Sequence, residues 1–379
     1  MNDQPTHETS NLSVPAWMDP ACFSAAPTEP AYGYWVGGRP QSCQSHDELA
    51  ERIRIDASKK VYLVWTPEVK YLVPPEEIPA LFEAVFERAQ VHVKKRRDSA
   101  LHTSILLSGL LLFIWFTLHG VALILLLALV ALGVIPLAES MAEQHRVHTY
   151  SAQQMACEVP EARFRAWLST FLSPRCSPWT RGLGVCIGVI YVLETFLGKT
   201  QSIAAAGLVK EAVWRGETWR VLTSTLLHAN DLHFFSNESA LLGLGILVEA
   251  VGNRVYIPIV FLIAAVTGSI FSLHFLPTAT AVGASGGILG LLGFLIVLGY
   301  VYTNVLPLGF LRSLLTNVGY VAVLGGILYQ VIDNAAHLGG LMAGLMVGMI
   351  GIDKRKNNLP LRVSQIVDIM RNKLQWVGA

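Results

Sequence analysis

The sequence predicts an all-α polytopic membrane protein that carries a small soluble α+β unit near its N-terminal end. Three observations predict it. Hydrophobic residues make up 53% of the chain and charged residues only 15%, with a mean hydropathy of +0.47. Apolar runs long enough to span a bilayer follow one another between Leu183 and Ile352. Upstream, from Tyr32, strand alternation and turn signals replace such runs. The 28 basic and 27 acidic residues nearly cancel, so no nucleic-acid partner is expected. Cys22, Cys43, Cys157, Cys176 and Cys186 show neither CxxC nor metal-ligand spacing, and all but Cys186 lie in segments placed on the cytoplasmic side, where thiols stay reduced, so no disulfide is expected; the chemistry read below implies neither a metal nor an organic cofactor.

Residues 1–31 are rich in Pro, Ser, Thr and Ala and read as a disordered leader without a signal peptide. Residues 32–98 read as a small soluble domain. Tyr32–Val36 is a predicted strand and Asp47–Ile55 a weak helix carrying Leu49 and Ile53. Val61–Trp65 and Val69–Val73 flank Thr66-Pro67-Glu68, a hairpin signal. Pro74–Arg88 then predicts a helix, with proline near its start and Ile78, Leu81, Phe82 and Val85 on one stripe. Nothing in this unit resembles a catalytic site, so a cytoplasmic partner or a regulatory role is the expectation.

Residues 99–182 are expected to hold an extra transmembrane hairpin and a cytoplasmic linker. Lys94-Lys95-Arg96-Arg97 precedes the first apolar segment and marks the cytoplasmic side. Ile105–Leu137, as one straight helix, would reach about 50 Å against a hydrocarbon core of about 30 Å. Two short spans turning at His119-Gly120 fit better, and they return the arginine-bearing stretch Glu139–Arg181 to the cytoplasm. One long tilted span is the alternative, and it inverts everything downstream. Residues 183–352 then hold predicted spans at Leu183–Leu197, His233–Val251, Tyr256–Phe275, Ala284–Val301, Leu315–Ile332 and Ala335–Ile352. The connection from Gly198 to Asn230, with Trp214, Trp219 and Arg220, is read as lying in the interface. Arg254, Arg312 and the start of a cytoplasmic tail at residues 353–379 all fall inside. Both termini are then cytoplasmic, and a bacterial inner membrane is the expected location.

This topology brings Ser285, His233 and His337 to one membrane face. Ser285 sits in Gly283-Ala284-Ser285-Gly286 at the mouth of its span, where glycines let a substrate backbone or another helix come close. His337 opens the last run beside Gly340 and Gly344. A serine hydroxyl needs a base to become a nucleophile, and histidine is the usual base near neutral pH. Charge developing on a carbonyl oxygen needs preorganised donors. The Ser285 backbone N–H, His233 and Asn237 can supply them, the last two being i, i+4 on one helix face. The plainer readings also stand: Ser285 as a helix cap or packing serine, the histidines and Asn237 as bundle glue.

Taken together, Trp219-Arg220, His228-x4-His233-x3-Asn237, Gly283-Ala284-Ser285-Gly286 and Ala336-His337-x2-Gly340-x3-Gly344 resemble the rhomboid intramembrane serine proteases, in order and in spacing. The resemblance covers about Leu183 to Ile352. It implies a six-helix core that cleaves transmembrane protein substrates with a Ser285–His337 dyad. His233, Asn237 and the backbone N–H of Ser285 and Ala284 would line the oxyanion hole. It also implies that Trp219 and Arg220 belong to a structural loop dipping into the outer leaflet, and that His228 holds this loop by hydrogen bonding. Glu249 would tie helix ends together. Gly340 and Gly344 would let the last helix pack on the one bearing Ser285. Leu289 departs from the pattern, standing where some rhomboids have a tyrosine that packs on the histidine. Asp333, four residues before His337, could be read as a third catalytic member, but helix capping by Asp333 or Asn334 is the preferred reading, since the resemblance implies a dyad. A catalytically silent rhomboid-like protein that binds membrane clients is the rival reading.

Overall fold

The computed structural model describes residues 16–36, 39–55, 62–117, 133–148, 152–170, 176–276, 280–303 and 305–352. In the soluble unit, β1 (Tyr32–Val36) is flanked by β2 (Arg39–Cys43) and β3 (Tyr62–Trp65), both antiparallel to it. The alternation read in the first strand puts Gly33 and Trp35 on the buried face. Helix α1 (His46–Ile55) lays Leu49 and Ile53 on Val64, Val73, Leu81 and Val85 to close this core. β2 escaped sequence reading because its residues, Arg39-Pro40-Gln41-Ser42-Cys43, include a proline and a polar pair that give no strand signal.

Two expectations for this region need correction. The stretch Val69–Val73 does not form a second regular hairpin strand. Val73 exchanges both backbone bonds with Val64, but Leu72 donates to Ser24 and Lys70 accepts from Ala26, so the leader takes over as partner. Residues 16–31 of the expected disordered leader are structured. Two 3-10 turns, Ala16–Met18 and Pro20–Cys22, bury Trp17, Cys22 and Phe23. Their partners lie far along the chain. Trp17 meets Phe164 edge-on, and Arg163 binds both Glu77 and the Met18 carbonyl. Isolated apolar residues in a Pro/Ser-rich stretch carry no periodicity, so composition concealed them.

The boundary drawn at residue 98 also falls inside one continuous helix. After 3-10 turns at Pro75–Glu77 and Pro79–Leu81, where proline cannot donate to a helical ladder, α2 runs unbroken from Phe82 to Thr117. Helix α3 (Ile135–His148) lies beside it: Arg96 reaches Glu139 and Glu143, and Arg97 reaches Gln144. The two ends of the apolar segment therefore meet at one level. Its turn at His119-Gly120 lies outside the described residues. Helix α4 (Ala152–Thr170) follows.

From Pro178 onward the architecture is a helical bundle. Its long helices are α5 (Pro178–Leu197), α9 (Asp231–Val251), α10 (Tyr256–Phe275), α11 (Ser285–Val301), α12 (Leu308–Ile327) and α13 (Asn334–Gly351). Among the described residues, α5, α9, α10 and α13 are long and apolar enough to cross a membrane, and α11 is equally apolar but has 17 residues. Between α5 and α9 the chain forms three short helices, α6 (Lys199–Ala206), α7 (Lys210–Trp214) and α8 (Arg220–Thr223). The predicted span Leu315–Ile332 is shifted towards its start, because Pro307 opens α12 and the helix closes by Leu328.

Helix α11 is the centre. Gly286 to Leu295 is buried without a break, as a helix apolar on all sides must be, and α10 and α13 pack against it most extensively. Outward-facing apolar side chains such as Phe196, Leu262, Ile263 and Ile350 remain exposed around the bundle. A water-soluble surface does not carry so many, and lipid is their natural solvent. The chain is an integral membrane protein.

Candidate active site

The site forms where α9, α11 and α13 begin. Ser285 is the first residue of α11 and Ala284 its N-cap. Just before them Gly283 has φ +133°, a backbone state that only glycine enters without strain, and its N–H donates to the Ser224 carbonyl at 2.9 Å. A Cβ on Gly283 would lie 2.6 Å from the His233 ring and 3.6 Å from Asn237 Nδ2. Glycine here thus lets the serine loop lie directly on the two α9 side chains. Helix α9 is started by Asn230, whose side chain accepts from the His233 N–H at 2.9 Å.

On the other side, His337 Nε2 lies 2.9 Å from Ser285 Oγ. The distance is that of a hydrogen bond between base and nucleophile. Helices α11 and α13 can approach so closely because they touch through glycine. A Cβ on Gly340 would stand 2.0 Å from the Gly286 carbonyl oxygen, and one on Gly344 1.9 Å from that of Gly290. Asp333 caps α13: one carboxylate oxygen accepts from the Ala336 N–H at 2.8 Å and the other from Ser272 Oγ. It leaves His337 Nδ1 alone, which is buried with no hydrogen-bond partner among the described residues, as is Asn237 Nδ2. Leu289 is buried one turn beyond Ser285.

The loop residues are held as a framework. Arg220, buried, donates to the carbonyls of Ala204 and Gly207 at 3.1 and 2.9 Å, and pairs with Glu217. Trp219 beside it is exposed to the surroundings. His228 is fully buried, its ring 5.2 Å from that of His233. Its backbone N–H is bound by the carboxylate of Glu194 at 3.1 and 3.2 Å. Glu249, at the far end of α9, accepts from Thr180 N and Oγ1, both at 2.6 Å, and so joins the end of α9 to the start of α5.

Sequence reading missed Glu194 and Lys210, both nearly inaccessible. A carboxylate inside the apolar run Leu183–Leu197 is a signal in itself, since charge in a span is costly and needs a partner. Lys210 gave no such signal, because its segment was read as interfacial, where lysine is ordinary.

Residues 215–354 match the family model for the Rhomboid domain. The chain is 33% identical over 173 residues to Rhomboid protease GluP of Bacillus subtilis, across 44% of this chain and 33% of that protein. It is 36% identical over 143 residues to RHOMBOID-like protein 6, mitochondrial, of Arabidopsis thaliana, across 37% of this chain and 46% of that protein. To Rhomboid protease GlpG of Haemophilus influenzae it is 30% identical over 148 residues, which cover 38% of this chain and 74% of the relative. The chain belongs to the rhomboid family. The match spans less than half the length of the first two of these relatives.

Proposed function

We propose that the chain is an intramembrane serine endopeptidase that hydrolyses peptide bonds in or near transmembrane segments of membrane-protein substrates. The observation that carries this is the 2.9 Å contact between His337 Nε2 and Ser285 Oγ, at the mouth of a buried helix. His337 takes the hydroxyl proton as Ser285 attacks the scissile carbonyl, then returns it to the leaving amine. The carbonyl oxygen gains charge as the tetrahedral intermediate forms. It is met by the backbone N–H groups of Ser285 and Ala284, the Asn237 amide, whose Nδ2 has no other partner among the described residues, and the His233 ring. Water then releases the acyl group from Ser285 by the same route. The reading is a dyad without Asp333, whose carboxylate is engaged by Ala336 and Ser272.

In this reading six core helices cross the bilayer, with a two-helix hairpin before them and both termini cytoplasmic. Arg254 and Arg312 support it by falling near the helix ends away from Ser285, and Lys94–Arg97 by lying within α2 just before its apolar part. The soluble unit would face a cytoplasmic partner. Substrates are helices that unwind readily, because a hydrogen-bonded helical carbonyl is not free for attack.

The test is cleavage of a transmembrane peptide reconstituted in vesicles with the full-length protein. Wild type is expected to cut it, while Ser285→Ala and His337→Ala, still folded, lose at least ~10³-fold in rate. Cleavage unchanged in Ser285→Ala would contradict the mechanism. An uncut substrate with folded wild type would favour a silent, client-binding member of the family.

A further inference from the structure

Lys210 is a charged side chain with 2% of its surface exposed. It opens α7, in the loop between α5 and α9. Its ammonium donates to Ser272 Oγ on α10, and Ser272, fully buried, donates to Asp333 Oδ2. Asp333 then holds the first turn of α13: its other oxygen accepts from Ala336 N at 2.8 Å and its carbonyl from His337 N at 3.1 Å. One hydrogen-bonded chain therefore runs from the loop, through α10, to the backbone of His337. A buried ammonium is tolerated only with a compensating anion, and the Asp333 carboxylate, one hydroxyl away, is that anion.

The same loop grips the other half of the reacting pair. Leu208, two residues before Lys210, exchanges backbone bonds with Ala281 at 3.0 and 3.4 Å, and Ser224 accepts from Gly283 at 2.9 Å. Leu208, Val213 and Leu273 seal this junction with Val221 and Ala281. The serine strand and the histidine helix are thus both fastened to one loop, the first by main chain and the second by Lys210.

We propose that Lys210 is a positioning residue for the dyad, acting through Ser272 and Asp333 to fix the first turn of α13 against the Ser285 loop. It touches neither substrate nor the reacting atoms. The proposal rests on the peptidase reading above and deepens it. Loss of the ammonium leaves the partly buried Asp333 carboxylate without its cation, and the turn that carries His337 shifts. A displacement of an ångström in a reacting group costs on the order of 10²-fold in rate.

The experiment uses full-length protein in detergent, comparing wild type, Lys210→Met, Asp333→Asn, the double variant and Ser272→Ala. Asparagine keeps the cap on Ala336 while removing the charge. Lys210→Met is expected to lower kcat on a transmembrane peptide by ~10- to 100-fold, with KM nearly unchanged. The double variant recovers part of that loss, because no unpaired charge remains. Amide exchange at Ala336 and His337 quickens in Lys210→Met while exchange along α9 stays as in wild type. Should Lys210→Met fail to accumulate, Ser272→Ala breaks the same chain with both charges retained, and kcat is expected to fall there too. Wild-type kcat in folded Lys210→Met, or a loss confined to KM, overturns the proposal. So does a double variant no better than the single. If wild type itself neither cuts nor labels, the peptidase reading falls separately, and unchanged exchange at Ala336 and His337 then overturns the positioning role on its own.

Discussion

At the scale of single residues, the site depends on groups that have only one acceptable occupant. Gly283 is the clearest case, since any side chain there suffers both a positive φ and a collision with the His233 ring. Gly283→Ala is expected to fold yet lose ~10-fold or more of its cleavage rate, the left-handed strain alone costing about 1–2 kcal/mol. Wild-type rates in that variant would show that the serine loop need not lie on His233. Glu194 makes a different demand. Replacing it with Leu strands the buried His228 N–H, a loss of about 1–3 kcal/mol readable as a lower Tm, while Gln keeps the acceptor and most of the stability. Cys22 offers a check on burial: desolvation pushes its thiol up to about 12, so it is expected to resist alkylation at pH 8 until the protein is unfolded. Ser285 and His337 were legible as candidates because polar residues near glycine stand out in apolar runs, and His233 and Asn237 because their i, i+4 spacing puts both on one helix face. Lys210 was not, because its burial arises from a loop folding under α10, which no local pattern records.

At the scale of elements, the α11–α13 contact decides whether serine and histidine meet. It is built from glycine against backbone, with no room for a methyl group at Gly340 or Gly344. Gly344→Val is expected to cost more than the ~1–3 kcal/mol of ordinary overpacking, and to abolish cleavage by prising the helices apart. Gly319 of α12, with open space where a Cβ would go, provides the control: Gly319→Ala is expected to leave Tm and rate unaltered. Equal tolerance at both positions would contradict the packing argument. The long apolar helices were readable from hydropathy to within a few residues, since each is longer than any soluble strand and bounded by glycine or polar residues. Ends fixed by proline, as at α5 and α12, were less so. The polar strand β2 and the divided partner of β3 were illegible for a common reason: their pairing is set by residues elsewhere in the chain, not by their own alternation.

At the scale of the whole molecule, the N-terminal segment is not an appendage. Trp17 and Phe23 join Phe164 and Trp167 in a cluster that extends to Phe310 at the start of α12, so the leader, α4 and the bundle share apolar contact. Trp17→Ala is expected to leave the bundle folded but to expose residues 16–36 to chymotrypsin, and an unchanged digestion pattern would contradict that docking. The membrane class was evident from composition alone. Long-range docking was not, since it joins residues more than a hundred positions apart.

The central claim is that His337 activates Ser285. A fluorophosphonate probe, applied to purified full-length protein in detergent, tests it without any knowledge of the substrate. The account predicts labelling of wild type, none of Ser285→Ala, and little of His337→Ala. Equal labelling of wild type and His337→Ala would contradict it, because the serine would then react without its base.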